Sequence, residues 1–365
     1  MGAGVKMESF LSSFTSRTTV KADKAAEKDY LGSDKIRICV VGVGGGGCNS
    51  ITRIMKSGIK TADTIAINTD MNHLKITEAH KRLLIGQSIT RGLGAGGYPE
   101  IARKAAEASK DKLAEALSGA DLVFLTAGMG GGTGTGAAPV VAEVAKKEGA
   151  IVVGMVTYPF SLERARTEKA RWGLEELRKT CDTVVVIDNN KLVQYVPNLP
   201  MNEAFNVADE ILARAIRGIS DTIMTPSLIN IDFADIKAIM GNGGVAMLSV
   251  GEGKGTNKVE DAIKSTLEHP LLDVSYEGAK GALIHIAGGP NLTLGEATKI
   301  GEGITNAFDN NANVIWGARL MPELGDKVVV TAIMTGVTST SLLGNLDTEK
   351  QKVPQAYEMI EEVVW

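Results

Sequence analysis

The sequence predicts an α/β protein with a Rossmann-like domain around a parallel sheet, a long central helix, and a smaller α+β C-terminal domain. Three observations support this prediction. In the first half, short β-branched runs alternate with helical segments, which is typical of parallel strands joined by crossover helices. Residues 203–225 then repeat apolar side chains at helical spacing. The second half has a different pattern, with four further predicted strands and two predicted helices.

The first predicted domain covers residues 35–202 and follows a polar extension over residues 1–34. We predict its strands at Ile36–Val41, Thr64–Asn68, Leu122–Thr126, Ile151–Val156 and Thr183–Ile187. Pro99 is expected to open a helix, because proline is favoured in the first helical turn. Two more helices are predicted over 137–147 and 162–179.

The central helix, residues 203–225, would reach roughly 30 Å and carry the chain into a C-terminal domain over residues 226–336. Strands of that domain are predicted at Ala246–Val250, Ala282–Ala287, Asn313–Leu320 and Lys327–Met334. Helices are predicted over Lys258–Leu267 and Thr293–Phe308. A turn-rich tail over 337–365 follows.

Composition excludes several classes of protein. The net charge is −4, so no global basic field favours nucleic acid as a partner. No run of 18 apolar residues occurs and the N-terminus lacks the apolar core of a signal peptide, so we expect a cytoplasmic protein without direct membrane insertion. Three scattered cysteines fit neither a disulfide framework nor a CxxC metal site, and no protein metal site is predicted.

Glycine is unusually frequent, at 42 of 365 residues, and it concentrates in segments 42–47, 92–97 and 128–136. Such runs cost backbone entropy, but they supply bare amide N–H groups that can bind phosphate oxygens. The helix after the last segment, with Pro139 expected in its first turn, would add its positive dipole end. Since no GxxxxGK[ST] frame occurs, the chain is not a P-loop NTPase.

The first segment alone leaves alternatives open. Gly42, Gly44 and Gly47 match GxGxxG, and Asp70 lies near the end of the second predicted strand, as a dinucleotide-binding domain requires. A dinucleotide-dependent oxidoreductase is therefore one hypothesis. The Gly130–Gly136 run and the lack of a histidine–acid set for hydride transfer argue against it.

Five segments carry recognisable motifs, namely Val41–Asn49, Asn68–Asp70, Arg91–Gly97, Gly130–Gly136 and Asn230–Asp235. Together they resemble motifs of the tubulin/FtsZ superfamily of assembling GTPases. The resemblance runs over roughly residues 35–335 and implies a GTPase domain, a long central helix and a smaller C-terminal domain.

The resemblance implies that GTP or GDP binds in this domain, with Mg²⁺ held through the nucleotide. The residues it assigns to the nucleotide are Gly44, Gly45, Gly46, Gly47, Cys48, Asn49, Asp70, Gly94, Ala95, Gly96, Gly97, Gly130, Gly131, Gly132, Thr133, Gly134, Thr135, Pro159, Glu163, Arg166, Thr167, Asn189, Phe205 and Asp209. Gly94 to Gly97 would approach the γ-phosphate.

Four of these residues would recognise the nucleoside. The resemblance assigns Glu163 to the ribose, Asn189 to guanine, and Phe205 to stacking on the base. It assigns Asp209 to accept from guanine N1–H and N2–H₂, a pair of donors that adenine does not offer.

The sequence also departs from the bacterial pattern of the superfamily and is similar to archaeal-looking members. The family's usual Arg, four residues after the ribose Glu, is Thr167 here, with Arg166 one residue early. Tyr98 stands where bacterial members usually carry Asn, and Asp188 replaces a proline.

The resemblance assigns water activation to Asn230, Asp232 and Asp235, which would serve the GTP of a neighbouring subunit. Subunits would then stack head to tail, a contact that generates open filaments. Asp232 also suits a simple helix N-cap, since Asp is favoured there. A GTP-binding, polymerising relative with little hydrolysis is the alternative hypothesis.

The resemblance further implies a role in cell division, with the protein in a ring at the division site. We expect it to bind membrane-tethering or other division proteins through a terminal segment, either 1–34 or 355–365, and to have a second family member as a partner.

Overall fold

The computed structural model describes residues 36–195, 198, 200–224, 228–229, 231–241, 246–268 and 274–339. These residues belong to one compact unit that begins at Ile36. In this part of the chain, no helix has the length and apolar character needed to cross a membrane.

A six-stranded parallel sheet forms the first half of the described chain. Its strands are β1 (Ile38–Val43), β2 (Asp63–Asn68), β3 (Lys81–Leu84), β4 (Leu122–Gly128), β5 (Ile151–Tyr158) and β6 (Thr183–Asp188). They lie in the order β3-β2-β1-β4-β5-β6, and every neighbouring pair is parallel. This is the order of a doubly wound sheet, whose direction of winding reverses between β1 and β4.

Helices cover both faces of this sheet. They are α1 (Gly44–Lys56), α2 (Met71–Ile76), α3 (Gln87–Thr90), α4 (Pro99–Glu107), α5 (Lys110–Leu117), α6 (Thr133–Lys147), α7 (Ala165–Thr180) and α8 (Asn189–Tyr195). Because successive side chains on a strand point to opposite faces, Val40 and Val41 enter two different cores. Val40 packs in the core that holds Ile51 of α1, and Val41 in the core that holds Val141 of α6.

The long helix α9 (Met201–Met224) connects the two halves of the core. Its 24 residues correspond to about 36 Å. Leu212, Ile216 and Ile219 are at most 2% exposed, and they lie in the same core cluster as Ile54 of α1 and Leu248 of the second sheet.

The second half contains a mixed sheet. Its elements are α10 (Phe233–Met240), β7 (Ala246–Lys254), α11 (Lys258–Leu267), β8 (Val274–Ser275), β9 (Gly281–Gly288), α12 (Leu294–Thr305), β10 (Asn313–Leu320), β11 (Lys327–Thr335) and β12 (Thr338–Ser339). The four longer strands lie in the order β10-β9-β11-β7, with β9 and β10 parallel and the other pairs antiparallel. β8 pairs with β12 as a separate ribbon.

Several element boundaries differ from the prediction. α6 begins at Thr133, so Pro139 lies inside the helix and its predicted place in the first turn is wrong. α1 likewise begins at Gly44, within the predicted loop. Tertiary packing overrides the low helix propensity of glycine here, because close neighbours leave no room for larger side chains. The domain boundaries given above stay a prediction.

Candidate nucleotide-binding site

The motif segments of the first half meet along one edge of the parallel sheet. They follow the carboxyl ends of β1, β2, β4, β5 and β6, while the glycine segment 92–97 lies between α3 and α4. In open α/β sheets, ligands bind in the crevice at this edge, where the strand order reverses.

Glycine segments 42–47 and 128–136 touch through their main chains at the starts of α1 and α6. A Cβ atom on Gly44, whose φ is +74°, would lie 2.6 Å from the amide nitrogen of Gly134. A Cβ atom on Gly46 would lie 3.1 Å from the nitrogen of Gly128, and one on Gly47 would lie 2.4 Å from the carbonyl oxygen of Thr126. Only glycine allows two helix starts to lie this close.

Between these close contacts the same segments also border open space. A Cβ atom on Gly45 or Gly131 would have no heavy atom within 4 Å. Two helices therefore begin beside each other, and the glycine backbone at their N-termini borders an open volume. Unpaired amide groups and the positive dipole end of a helix make such a place suited to an anion.

Glycine segment 92–97 packs against segment 128–136. A Cβ atom on Gly132 would lie 3.1 Å from the Cβ of Ala95. Gly94, Gly96 and Gly97 all have positive φ, a conformation that favours glycine. Gly94 N–H donates to the Thr69 carbonyl at 3.1 Å, which anchors the segment to the end of β2.

The predicted threonines have different surroundings. The Thr133 hydroxyl lies 2.7 Å from the Thr69 hydroxyl, at the start of α6. The Thr135 hydroxyl is fully buried and accepts from Gly130 N–H at 2.9 Å, so it holds the loop in shape.

Cys48, Asn49 and Asp70 also lie at this edge. The Cys48 side chain is buried, and burial raises the pKa of its thiol to about 11, so it is not a nucleophile at neutral pH. Asn49 is exposed in the first half of α1. The Asp70 carboxylate caps α2 by accepting from the amides of Asn72 and His73.

The segment after β5 holds the residues predicted for the ribose. Glu163 accepts from Phe160 N–H at 3.1 Å and pairs with the Arg166 guanidinium at 2.7 Å. Pro159 is buried, and its ring would lie 3.2 Å from a Cβ atom on Gly130. The Thr167 carbonyl accepts from the Tyr158 hydroxyl at 3.1 Å.

Asn190, which the sequence analysis did not single out, joins this segment to the end of β6. Its side-chain oxygen accepts from Ser161 N–H at 2.9 Å, and its side-chain nitrogen donates to Asp188 at 2.7 Å. Asp188, the residue in place of the family's proline, is buried, and Asn190 satisfies its carboxylate with a hydrogen bond.

Three predicted base-recognition residues lie on α8 and α9. The Asn189 side-chain oxygen is buried and has no hydrogen-bond partner among the described residues. A buried acceptor without a donor costs free energy, so this oxygen indicates that a ligand supplies the missing donor. The Phe205 ring lies 5.9 Å from the Phe160 ring, tilted by 60°.

Asp209 is 6% exposed and already has two partners on α1. One carboxylate oxygen accepts from the Ser50 hydroxyl, and the other pairs with the Arg53 guanidinium. Burial lowers the pKa of Arg53. Sequence reasoning missed Ser50 and Arg53, although their spacing places both on one face of α1.

The acidic pair predicted for water activation lies in the second half of the chain. Asp232 is exposed and caps α10, accepting from Asp235 N–H at 2.8 Å. Asp235 is half-buried in the first turn, and Asn230 lies outside the described residues. Within the described chain, no hydrogen bond or ion pair joins either carboxylate to the glycine segments.

No group of three or more His, Cys, Asp or Glu side chains in the described ranges is arranged to hold a metal ion. A Mg²⁺ ion beside the glycine segments would instead meet hydroxyl oxygens, those of Thr69 and Thr133, which are the hard oxygen donors that Mg²⁺ prefers.

Comparisons with known proteins cover most of the chain. The family model described as "Tubulin/FtsZ family, GTPase domain" matches residues 37–197, and "FtsZ family, C-terminal domain" matches residues 244–338. Cell division protein FtsZ 2 of Methanocaldococcus jannaschii is 60% identical over 331 residues, which are 90% of this chain and 87% of that protein. Cell division protein FtsZ 2 of Halobacterium salinarum is 55% identical over 315 residues, 86% of this chain and 80% of that protein.

A solved structure gives the same picture for the fold. The structure described as an empty FtsZ dimer from M. jannaschii has a TM-score of 0.80 at 44% sequence identity. The match covers 91% of this chain and 99% of that chain.

Proposed function

This chain belongs to the tubulin/FtsZ family, and from that premise we propose that it is a cell-division protein that hydrolyses GTP where two of its own copies meet. It is a GTPase of a polymer-forming family with the FtsZ-like fold. We further propose that its copies stack head to tail into protofilaments. The observation that carries the proposal is the convergence of three glycine segments, with open space at Gly45 and Gly131, on the strand-order reversal of the sheet.

Main-chain amides hold the phosphates in this proposal. The start of α1, from Gly44 to Asn49, and the segment from Gly130 to Thr135 surround the open space on two sides. The segment from Gly94 to Gly97 packs against Gly132, which supports the proposal that it approaches the terminal phosphate. Its three positive-φ glycines allow this close approach of backbone to ligand.

The nucleoside lies toward α8 and α9. Glu163 binds the ribose in this proposal, and the hydrogen bond from Phe160 N–H holds its carboxylate in place. Phe205 presents an aromatic face for the base. Asn189 has a buried oxygen that needs a donor, which the guanine edge supplies. Asp209 supplies the ionised acceptor for guanine N1–H and N2–H₂.

We propose that Mg²⁺ enters with the nucleotide and is bound through its phosphates, and that the Thr69 and Thr133 hydroxyls, which lie together at the start of α6, would offer it side-chain oxygens. When bound, the ion neutralises phosphate charge. The protein's own contribution is a set of fixed amide dipoles around the phosphates, which stabilise negative charge without reorganising.

Hydrolysis needs a second subunit in this proposal. Asp232 and Asp235 carry the carboxylates suited to polarising a water molecule, but they lie on α10, and in the described chain no contact joins them to the glycine segments. The exposed Asp232 is instead available to another copy. A head-to-tail contact completes the site and, because it is heterologous, extends into an open filament.

In the cell, this activity places the protein in the cytoplasm, in a ring at the division site. A terminal segment is proposed to bind membrane-tethering or other division proteins, and a second family member is a further proposed partner.

The test combines nucleotide binding, sedimentation and turnover. Purified protein should bind GTP and GDP, pellet as filaments visible by electron microscopy with GTP or a non-hydrolysable analogue, and remain unassembled with GDP. Hydrolysis per subunit should rise sharply above a critical protein concentration. Failure to bind guanine nucleotides, or equal turnover per subunit in dilute and concentrated samples, would contradict the proposal.

A further inference from the structure

We propose that Ser50 and Arg53 are positioning residues for guanine, because together they orient the Asp209 carboxylate toward the base. The inference rests on the proposed nucleotide site and adds two residues that determine its specificity. It starts from contacts between α1, which begins at the phosphate-binding glycines, and α9, which carries Asp209.

Both oxygens of Asp209 are held, each by a different partner. The Ser50 hydroxyl donates to one oxygen, and the Arg53 guanidinium pairs with the other. The carboxylate is 6% exposed, so water competes little with either partner. Two anchors on two oxygens fix the rotation of the carboxylate plane, which a single anchor would leave free.

The lone pairs that remain match the donors of guanine. An ionised carboxylate has about four lone-pair sites on its two oxygens. Ser50 and Arg53 use one site on each oxygen, so one site on each remains. The Watson–Crick edge of guanine offers two adjacent donors, N1–H and N2–H₂, which fit a carboxylate with one free site on each oxygen.

The positively charged Arg53 guanidinium pairs with this carboxylate, and an adjacent opposite charge favours the charged form of a carboxyl group. An ionised carboxylate only accepts hydrogen bonds. It therefore rejects adenine, whose N1 is an acceptor, and xanthine, whose C2 carries a carbonyl oxygen in place of the amine.

Ser50 also links the base end of the site to the phosphate end. Its hydroxyl oxygen lies 3.3 Å from the Gly46 carbonyl oxygen, within the glycine segment at the start of α1. The single hydroxyl proton goes to Asp209, because the carboxylate is the closer and charged acceptor. Removing this hydroxyl should thus disturb base recognition and leave the amide cradle of the phosphates in place.

The experiment compares GDP with IDP, which lacks only the exocyclic N2 amine. Binding of both nucleotides is measured by calorimetry for the full-length chain and for the variants Ser50→Ala, Arg53→Gln and Arg53→Lys. Thr61→Val is the matched control, since the Thr61 hydroxyl makes the same kind of bond at 3.0 Å to Asp221, on the same helix α9. Thermal unfolding of each variant checks that it is folded.

We expect the unmodified chain to prefer GDP over IDP by about tenfold or more, the size expected for one hydrogen bond to a charged group. Ser50→Ala and Arg53→Gln should lower that ratio several-fold, mainly through weaker GDP binding, while IDP affinity changes little. Arg53→Lys keeps the charge and should retain part of the ratio. Thr61→Val should keep all of it.

The outcomes distinguish failure of the proposed guanine contact from failure of the positioning role of Ser50 and Arg53. If the unmodified chain binds GDP and IDP equally, the proposed contact of Asp209 with guanine fails, and this inference fails with it. If the unmodified chain prefers GDP but folded Ser50→Ala and Arg53→Gln keep the same ratio, the inference alone is overturned.

Discussion

The Lys169 ammonium of α7 donates to the Gly97 carbonyl at 2.7 Å and lies 5.5 Å from the centre of the Tyr98 ring. It thereby joins a helix to glycine segment 92–97, in which Gly94 and Gly96 also adopt positive φ. A segment so rich in glycine loses much backbone entropy when it becomes ordered. A lysine held by both a carbonyl and an aromatic face offsets part of that cost.

Lys169→Met should loosen this segment while keeping the apolar stem of the side chain. Loss of one hydrogen bond worth about 1 kcal/mol should speed amide hydrogen exchange at Gly94–Gly97 by roughly fivefold. The preference for GTP over GDP should also fall, because this segment is proposed to approach the γ-phosphate. Lys179→Met is the control, since Lys179 pairs with Glu176 on the same helix. Unchanged exchange in 94–97 would rule out the anchoring role.

Substitutions of Asp232 should separate its cap from its charge. Asp232→Asn keeps a good N-cap and removes the carboxylate, so stability should be retained and GTP turnover lost. Asp232→Ala should lose turnover and also about 1 kcal/mol of stability. Denaturant unfolding and phosphate release in assembled samples measure the two effects. Normal turnover in Asp232→Asn would leave capping as the role of this residue.

Asp235→Ala should leave GTP binding intact and abolish hydrolysis, because the carboxylate is proposed to act on the nucleotide of a neighbouring copy. Mixing this variant with unmodified chains should lower turnover in proportion to the number of interfaces that receive a defective subunit. The measurement is phosphate release against mixing ratio, with nucleotide binding measured in parallel. Persistent hydrolysis in pure Asp235→Ala would contradict the assignment.

Two glycines of segment 128–136, Gly131 and Gly136, should respond differently to substitution by alanine. A Cβ atom on Gly136 would lie 1.8 Å from the Pro99 carbonyl oxygen, so Gly136→Ala should destabilise the fold by about 3 kcal/mol or more. Gly131 faces open space, so Gly131→Ala should change stability by less than about 0.5 kcal/mol. If nucleotide fills that space, Gly131→Ala should weaken GDP binding by about tenfold. Full GDP affinity in Gly131→Ala would show that the phosphates lie elsewhere.

His285 should make stability depend on pH. Burial, reinforced by the positive charge of Arg319, lowers the pKa of His285 from the ordinary histidine value of 6.5 to about 4. Between these values the unfolded chain binds the extra proton and the folded chain does not, so stability falls as pH drops from about 6.5 to 4, by at most about 1.4 kcal/mol per pH unit.

His285→Gln should remove this part of the slope, as measured by urea unfolding at a series of pH values. Above pH 7, about where the imidazole is neutral in both states, the two proteins should differ only by a constant packing term. Parallel curves for the variant and the unmodified chain below that pH would show that another group carries the dependence.

The sequence predicted the strands well because buried parallel strands are continuous apolar runs. β4 and β5, which are almost entirely buried, begin at the predicted residues. The strand at Asn313–Leu320 also has the predicted ends, although it lies at a sheet edge and is only partly buried. β3 was missed, since Lys81–Leu84 is short, half polar and at the edge of the sheet. The starts of α1 and α6 were placed too late, because glycine has low helix propensity and only the packing of Gly44 and Gly136 explains a helix there.

The candidate site was predictable in its backbone parts and less so in its supporting side chains. Glycine runs after strands are visible in one sequence, and the resemblance named the residues around them. Ser50 and Asp209 are 159 positions apart, so only the fold shows that they meet. The same holds for Lys169 and Gly97, whose contact depends on how α7 packs beside glycine segment 92–97.

The contact between Gly44 and Gly134 has a consequence for how the protein responds to acidity. A cradle built from peptide N–H groups has donors that neither gain nor lose protons as the cell interior acidifies. The hydrogen bonds that such amides can offer to a phosphate are then set by chain geometry, at any pH at which the chain stays folded.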